Sequence, residues 1–156
     1  MESCCGVTIY SKGSVCPECK AEGRPVSLKT LMHLVREELK VSVGNGNYRF
    51  CVTPDCPAVY YDTEGSMIFH KEDLITRVGL KESSPPILVC YCSNITEEDI
   101  MEEIHKTGRS TASQRIRAEV KAGRCACEIN NPSGRCCLGD IEKVEKRLMQ
   151  ESRNTV

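Results

Sequence analysis

The cysteines of this sequence fall in close pairs along the whole chain, and this pairing limits what the chain can fold into. The chain has 12 cysteines among 156 residues. Their pairs, with at most four residues between partners, are Cys4/Cys5, Cys16/Cys19, Cys51/Cys56, Cys90/Cys92, Cys125/Cys127 and Cys136/Cys137. Two thiolates at short spacing can bind the same metal ion. The sequence therefore predicts a fold organised around metal–thiolate centres.

Composition supports metal binding over disulfide bonding. Aromatic residues make up only 4% of the chain and tryptophan is absent, so a thick apolar core is hard to build. The start of the chain, Met1 to Gly6, lacks the basic and apolar stretches of a secretory signal, and no apolar run approaches the ~18 residues of a membrane span. We expect a cytoplasmic protein with no membrane partner, in which thiols stay reduced.

The charge balance and the motifs exclude several functional classes. The 21 basic and 22 acidic residues give a formal net charge of -1, whereas nucleic-acid-binding proteins usually carry a clear positive excess. We therefore expect no nucleic-acid partner. No nucleophile–base pattern or phosphate-binding glycine loop occurs, so hydrolysis and group transfer are not indicated. A reaction, if the chain catalyses one, would be one-electron transfer.

A proline-containing segment divides the chain. Pro85 and Pro86 end the run Lys-Glu-Ser-Ser-Pro-Pro over 81–86, and they stiffen it because proline fixes φ and lacks a backbone donor. We predict an α+β zinc-binding module at 12–84 and a helical [2Fe–2S] module at 87–150. The expected fold class is α+β.

Periodicity predicts the elements of each module. In the first, Ser27 is an N-cap for a helix over 28–40, and short β-branched or aromatic runs predict strands at 48–51, 58–61 and 67–69, with a turn at 63–65. In the second, Thr96 and Asp99 form a capping box for a helix that ends at Gly108. Two further helices are expected, one from Ser110 to Gly123 and one containing Ile141, Val144 and Leu148.

The first two suitable pairs predict a zinc site. Cys16 and Cys19 are separated by two residues, and the Pro-Asp turn between Cys51 and Cys56 can bring a second pair to the same ion. Four thiolates with no open position describe a structural Zn²⁺ site. The 31 intervening residues exceed the roughly 15–20 of zinc ribbons, and the predicted helix fills the excess. The alternatives are unrelated thiol pairs, or His70 as a ligand.

The cysteines of the second module suit an iron–sulfur centre. In an extended segment Cys90 and Cys92 point to the same side, so both can face one iron. The loop over 125–137 supplies further thiols and contains the turn signal Asn-Pro-Ser-Gly. A [2Fe–2S] cluster needs four thiolates, and helix N-termini near them offset its negative charge. Spacing does not choose between Cys125 and Cys127 or between Cys136 and Cys137, and a second zinc site is the alternative.

Several motifs together carry a family resemblance. They are Cys-Pro-Glu-Cys at 16–19, Phe-Cys-Val-Thr-Pro-Asp-Cys at 50–56, Val-Tyr-Tyr at 59–61, Val-Cys-Tyr-Cys at 89–92 and Asn-Pro-Ser-Gly-Arg-Cys-Cys at 131–137. Over residues 16–140 the chain resembles the N-terminal metal domain of the CopZ copper chaperone family. That domain combines a zinc module with a helical [2Fe–2S] module similar to bacterioferritin-associated ferredoxins.

The resemblance implies a ligand set and a function. It places the cluster on Cys90, Cys92, Cys127 and Cys137 and leaves Cys125 and Cys136 free. It implies copper handling, with an electron passed from the cluster to Cu(II) and the resulting Cu(I) passed on. The implied partners are copper or another soft metal ion, a redox partner protein and a metal-transporting ATPase. The alternative is a ferredoxin-like electron carrier that has a structural zinc and no copper role.

Two features lie outside these sites. The family's copper domain carries a Met-x-Cys-x-x-Cys loop, which these 156 residues do not contain. Cys4 and Cys5 instead offer a vicinal thiol pair for a soft ion such as Cu(I), unless they belong to a frayed terminus. The basic run over 106–124, which follows an acidic run over 97–103, is either a solvated helix surface or a docking patch for an acidic redox partner.

Overall fold

The N-terminal half, residues 15–86, contains an antiparallel sheet and one α-helix. The structure, a computed structural model, describes residues 15–64 and 67–154. The four strands of the sheet lie side by side in chain order. The elements are β1 (Arg24–Val26), α1 (Leu28–Leu34), β2 (Tyr48–Phe50), β3 (Ala58–Asp62) and β4 (Ile68–His70), with 3-10 helices at Glu37–Ser42, Lys71–Asp73 and Gly79–Lys81.

Helix α1 is shorter than the sequence predicts. Ser27 caps it as expected, since its hydroxyl accepts a hydrogen bond from the Thr30 N–H at 3.3 Å. The helix ends at Leu34 because Val35 is extended and forms a β-bridge with Leu74. Val35 is fully buried, so tertiary packing outweighs the local preference for a longer helix.

The sheet agrees with the predicted strands to within one residue at each end. The structure adds β1, which pairs with β2 in the register Arg24↔Phe50 and Val26↔Tyr48. Pro25 concealed this strand in the sequence, but proline is tolerated at the edge of a sheet, where β1 lies. The predicted turn at 63–65 lies partly outside the described residues.

The C-terminal half, residues 87–154, is mainly helical, as predicted. The Thr96–Asp99 capping box forms, and Gly108 ends the first of these helices with φ of +87°. The first two long helices of this half both pack on its last helix. The structure adds a two-stranded ladder and one short helix. The elements are β5 (Leu88–Cys90), β6 (Ile95–Thr96), α2 (Glu97–Thr107), α3 (Ala112–Lys121), α4 (Cys127–Asn130) and α5 (Leu138–Asn154).

Each half has its own hydrophobic core. The N-terminal core concentrates most of the few aromatic residues, and the C-terminal core is built from aliphatic residues such as Ile100, Ile116 and Ile141. The sheet and helices confirm the α+β class. The predicted modules at 12–84 and 87–150 follow the boundary between the cores, and that division stays a prediction. Within the described ranges no helix is both long enough and apolar enough to cross a membrane.

Candidate metal centres

The first thiol pair lies in a tight turn just before β1. The Cys16 N–H donates to the Ala21 carbonyl and the Lys20 N–H donates to the Cys16 carbonyl, both at 2.8 Å. Lys20 adopts φ of +67°, which lets the chain reverse directly after Cys19. This reversal turns both sulfurs toward the loop between β2 and β3.

The second pair lies in that β2–β3 loop. The Cys51 N–H donates to the Val59 carbonyl at 2.8 Å and continues the hairpin, and the Cys56 N–H donates to the Thr53 carbonyl at 3.2 Å. The turn predicted from Pro54 and Asp55 therefore forms. It returns the chain so that both sulfurs face the first pair.

The four sulfurs of these turns form a compact group, which we call the four-thiol site. The Sγ atoms of Cys16, Cys19, Cys51 and Cys56 all lie within 4.8 Å of one another. Cys16 and Cys56 are 3.9 Å apart and Cys19 and Cys51 are 3.7 Å apart. A tetrahedral zinc with Zn–S bonds of ~2.3 Å needs sulfurs ~3.8 Å apart, so the geometry fits zinc. Among the described residues, no other three donors lie this close together.

The environment of the four-thiol site gives its thiols different pKa values. Burial, together with the neighbouring thiols, raises the pKa of Cys56 to about 12, and burial also raises the pKa of Cys16. Burial opposes ionisation of Cys19 as well, but hydrogen bonds, above all with the Thr53 hydroxyl 3.1 Å away, lower its pKa to about 7. Because metal binding requires thiolates, a bound cation must displace protons here.

A buried lysine braces the loop of the second pair. The Lys81 ammonium donates to the Thr53 carbonyl at 2.7 Å and to the Cys56 carbonyl at 3.0 Å. Only 5% of Lys81 is exposed. Its charge therefore lies beside a site that is net negative when four thiolates hold one divalent ion. In the sequence Lys81 begins the proline-containing segment between the predicted modules, and no local pattern marks its role.

His70 is engaged by carboxylates and does not belong to the four-thiol site. Its Nε2 atom lies 2.6 Å from Glu18 Oε2, and its Nδ1 atom lies 3.9 Å from Asp73 Oδ2. Glu18 is in the turn of the first thiol pair. The structure therefore gives no support to His70 as a ligand, and its ring instead connects the end of β4 to that turn.

Four cysteines of the C-terminal half also come together. Cys90 ends β5, Cys92 lies in the following turn, Cys127 begins α4 and Cys137 directly precedes α5. Three of them are buried and Cys92 is half-buried. Because their segments are far apart in sequence, the packing of the half brings them together.

The sulfurs of this second group form a chain of neighbours. Cys92 and Cys127 are 3.7 Å apart. The neighbouring Cys137 thiol lowers the pKa of Cys90 to about 6 and that of Cys127 to about 5, and their interaction raises the pKa of Cys137. No three of its sulfurs all lie within 4.8 Å of one another, as those of the four-thiol site do. They are more widely spaced than the ligands of a single tetrahedral zinc.

That Cys90 and Cys92 face one iron stays a prediction. The strand ends at Cys90, and the chain reverses through Asn94, which has φ of +60°. Backbone N–H groups approach both sulfurs. Cys90 Sγ accepts from the Ser93 N–H at 3.4 Å, and Cys92 Sγ accepts from the Ala126 N–H at 3.2 Å. Such bonds stabilise thiolates.

Comparisons with known proteins agree with this arrangement. Residues 13–75 match the zinc-binding domain family of CopZ. The chain is 37% identical over 129 residues to the copper chaperone CopZ of Archaeoglobus fulgidus, covering 83% of this chain and 60% of that protein. The X-ray structure of the Archaeoglobus fulgidus CopZ N-terminal domain matches with a TM-score of 0.69 and 36% identity, covering 83% of this chain and 96% of that domain.

This chain belongs to the CopZ N-terminal domain family. It spans about 60% of the length of the curated relative that it matches. The family model for zinc binding covers all four residues of the four-thiol site. The resemblance found in the sequence is thus confirmed, as is zinc binding for the N-terminal half of this CopZ relative.

The remaining cysteines differ in their surroundings. Cys125 is half-buried, and burial together with the neighbouring thiolates raises its pKa to about 11. Cys136 is exposed, whereas its neighbour Cys137 is fully buried. This contrast in burial distinguishes two residues that spacing does not. Cys4 and Cys5 lie outside the described residues.

The basic run of this CopZ relative is largely neutralised. Four of its six basic residues form ion pairs with glutamates. The pairs are Lys106–Glu102, Arg115–Glu103, Arg117–Glu142 and Arg124–Glu119. The basic partners are about half to three-quarters exposed, and exposed pairs of this kind stabilise little. The structure favours a solvated helix surface over a docking patch.

Proposed function

We propose that this chain handles copper or another soft metal ion with the help of a [2Fe–2S] cluster. The cluster would be held by Cys90, Cys92, Cys127 and Cys137, and a structural zinc by the four-thiol site. The observation that carries the proposal is the gathering of these four C-terminal thiols into a group too spread out for one ion, in a member of the CopZ N-terminal domain family.

The chain's own residues prepare the second group for a cluster. Backbone N–H groups of Ser93 and Ala126 donate to two of its sulfurs, and the Asn130 side chain approaches Cys92 Sγ at 3.6 Å. Cys137 stands directly before α5, whose N-terminus favours negative charge. Hydrogen bonds to the sulfurs and burial are the features that set cluster potential.

When bound, the cluster supplies one-electron transfer, here from a reducing redox partner protein to Cu(II), which becomes Cu(I). The copper ion is the substrate, and thiolates are the ligands that Cu(I) prefers. We assign its transient binding to Cys4 and Cys5, with Cys125 and Cys136 as further thiols. We place this activity in the cytoplasm, with a metal-transporting ATPase as the acceptor of Cu(I), without nucleic-acid or membrane binding.

A ferredoxin-like electron carrier is the second candidate. In its favour, the described residues contain only Cys125 and Cys136 outside the two four-sulfur groups, and Cys125 is half-buried. In that case the zinc would be structural and copper would not be retained.

The test uses protein purified without air. Metal analysis should give about one zinc and about two irons per chain, with the electron paramagnetic resonance signal of a [2Fe–2S] cluster after reduction. Cu(II) is then added to the reduced protein. Reoxidation of the cluster with one Cu(I) retained per chain supports copper handling, whereas reoxidation without retained copper supports the electron carrier. Folded, colourless and iron-free protein would refute both.

A further inference from the structure

The loop between Cys127 and Cys137 is held by the N-terminal half. The Tyr60 hydroxyl on β3 donates to the Pro132 carbonyl at 2.5 Å, and the Thr30 hydroxyl on α1 donates to the Glu128 carbonyl at 2.6 Å. Tyr60 and Thr30 are both fully buried. The Tyr60 hydrogen bond is buried and the Thr30 hydrogen bond is partly buried, so both fix a loop carbonyl with limited competition from water.

The same loop has no room to move toward α1. Gly134 has φ of +73°, and a Cβ atom there would lie 2.9 Å from Thr30 Oγ1 and 3.2 Å from Val26 Cγ2. This close approach presses the backbone of the loop against the N-terminal half. Cys127 and Cys137 stand at the two ends of a segment whose middle is anchored outside its own half.

The segment that carries Cys90 and Cys92 is also held by the N-terminal half. Tyr91 lies between Cys90 and Cys92, and its phenol oxygen accepts a hydrogen bond from the Gly79 N–H at 2.8 Å. A Cβ atom on Gly79 would lie 1.9 Å from the Leu88 carbonyl oxygen, so the two backbones are in direct contact. The anchor belongs to the 3-10 helix Gly79–Lys81.

Both hydrogen-bonding partners, Tyr60 and Gly79, belong to elements that adjoin or contact the loop of Cys51 and Cys56. Tyr60 is on the strand that follows this loop, and Lys81, in the same 3-10 helix as Gly79, bonds to two carbonyls within it. A displacement of the loop would therefore move the partners of both ligand pairs.

We propose that Tyr60 and Tyr91 are positioning residues for the cluster, through which the N-terminal half holds both pairs of cluster ligands in place. This proposal rests on the cluster of the proposed function. The two phenols act on different segments of the second group, one on the loop before Cys137 and one between Cys90 and Cys92. Thr30 supports the first of these contacts.

Three tyrosine-to-phenylalanine variants test the proposal. Tyr60→Phe and Tyr91→Phe each remove one anchoring hydrogen bond. Tyr48→Phe is the matched control, because the Tyr48 hydroxyl donates to the Val43 carbonyl at 2.9 Å within the N-terminal half. All three are purified without air, and iron loss to excess chelator is followed by visible absorbance, alongside the electron paramagnetic resonance spectrum of the reduced protein.

We expect Tyr60→Phe and Tyr91→Phe to lose iron about fivefold faster than wild type or more, and to shift the resonance spectrum, since a lost buried hydrogen bond frees the ligand segment. Tyr48→Phe should keep the wild-type rate and spectrum even if its melting temperature falls. Thr30→Val should behave like Tyr60→Phe, and Thr30→Ser, which keeps the hydroxyl, should restore the slow rate.

The outcomes separate this proposal from the proposed function. If wild-type protein holds iron and both anchoring variants match Tyr48→Phe in rate and spectrum, the positioning role is overturned while the cluster stands. If wild-type protein folds without iron, the cluster itself is refuted. Amide hydrogen exchange gives a readout independent of iron, because exchange over 125–137 should increase in Tyr60→Phe but not in Tyr48→Phe.

Discussion

The two halves of this molecule gather their thiols in different ways. In the N-terminal half, two turns bring the sulfurs of the four-thiol site within 4.8 Å of one another, and one hairpin supplies half of them. In the C-terminal half, four sulfurs from a strand end, a turn and two helix starts form a looser chain. The segments of the compact site belong to one half, whereas those of the looser group also accept or donate hydrogen bonds across the two halves. Substitutions in each half test this difference.

The largest effect is expected from Cys16→Ala, which removes a fully buried member of the four-thiol site. Structural zinc contributes on the order of 10 kcal/mol to folding, which is comparable to the whole stability of a small domain. We expect loss of zinc and of the cooperative thermal transition, measured by metal analysis and circular dichroism. Cys136→Ala, at an exposed position, should leave both unchanged. Retention of one zinc with wild-type melting in Cys16→Ala would show that this thiol is not a ligand.

The next largest effect is expected on iron content, and it distinguishes Cys127 from its neighbour Cys125. Cys127→Ala should reduce iron from about two per chain to near zero while zinc stays at about one. Cys125→Ala should keep the full iron content, because Cys125 lies outside the group of four. Iron and zinc analysis of the two variants makes the comparison. Equal iron loss in both would mean that Cys125 takes part in binding.

A smaller effect is expected when the buried ammonium beside the four-thiol site is removed. Lys81→Met leaves the carbonyls of Thr53 and Cys56 without their donor, which costs about 2 kcal/mol. Urea unfolding should show this loss, and zinc should transfer faster to a chelator. Lys40→Met is the control, because Lys40 forms only a surface pair with Glu37. If Lys81→Met and Lys40→Met unfold at the same urea concentration, the bracing role is wrong.

The smallest effect tests a contact of the C-terminal half that involves no metal. The Thr111 hydroxyl and N–H both donate to the Glu103 carboxylate, at 2.6 and 2.9 Å, and these bonds hold its pKa below the ordinary 4.5. A lowered carboxyl pKa stabilises the fold above pH 4.5, and that stability is lost as the pH falls through the folded-state pKa. Glu103→Gln should therefore lose about 1 kcal/mol at pH 7 and little at pH 3.

Denaturant unfolding across this pH range measures the difference. Glu102→Gln serves as the control, since Glu102 forms an exposed pair with Lys106. We expect it to differ from wild type by less than about 0.5 kcal/mol at every pH. A pH-independent loss in Glu103→Gln would contradict the assignment.

Local signals in the sequence predicted much of the fold. The Ser27 cap, the Thr96–Asp99 capping box and the strands around Tyr60 and Phe69 depend on residues close in sequence, and the structure has them. The end of α1 at Leu34 was not predictable in this way. It depends on Val35 pairing with Leu74, a residue far along the chain.

The candidate metal centres likewise combine features set by local sequence with features set by long-range contacts. The spacing of Cys16/Cys19 and Cys51/Cys56 was enough to predict one compact site, because each pair is formed by its own turn. The role of Lys81 was missed because its partners are carbonyls, which leave no pattern in the sequence. The contact from Tyr60 to Pro132 was missed for the same reason.

The amino-acid sequence alone determined that the cysteines of this protein lie in close pairs. It also determined where turns and helix starts lie, because these are set by neighbours along the chain. The three-dimensional packing decided which sulfurs face one another, that Cys137 is buried while Cys136 is exposed, and that one half forms hydrogen bonds with cysteine-bearing segments of the other. These outcomes depend on excluded volume and on hydrogen bonds to backbone carbonyls between distant segments, which no local spacing encodes.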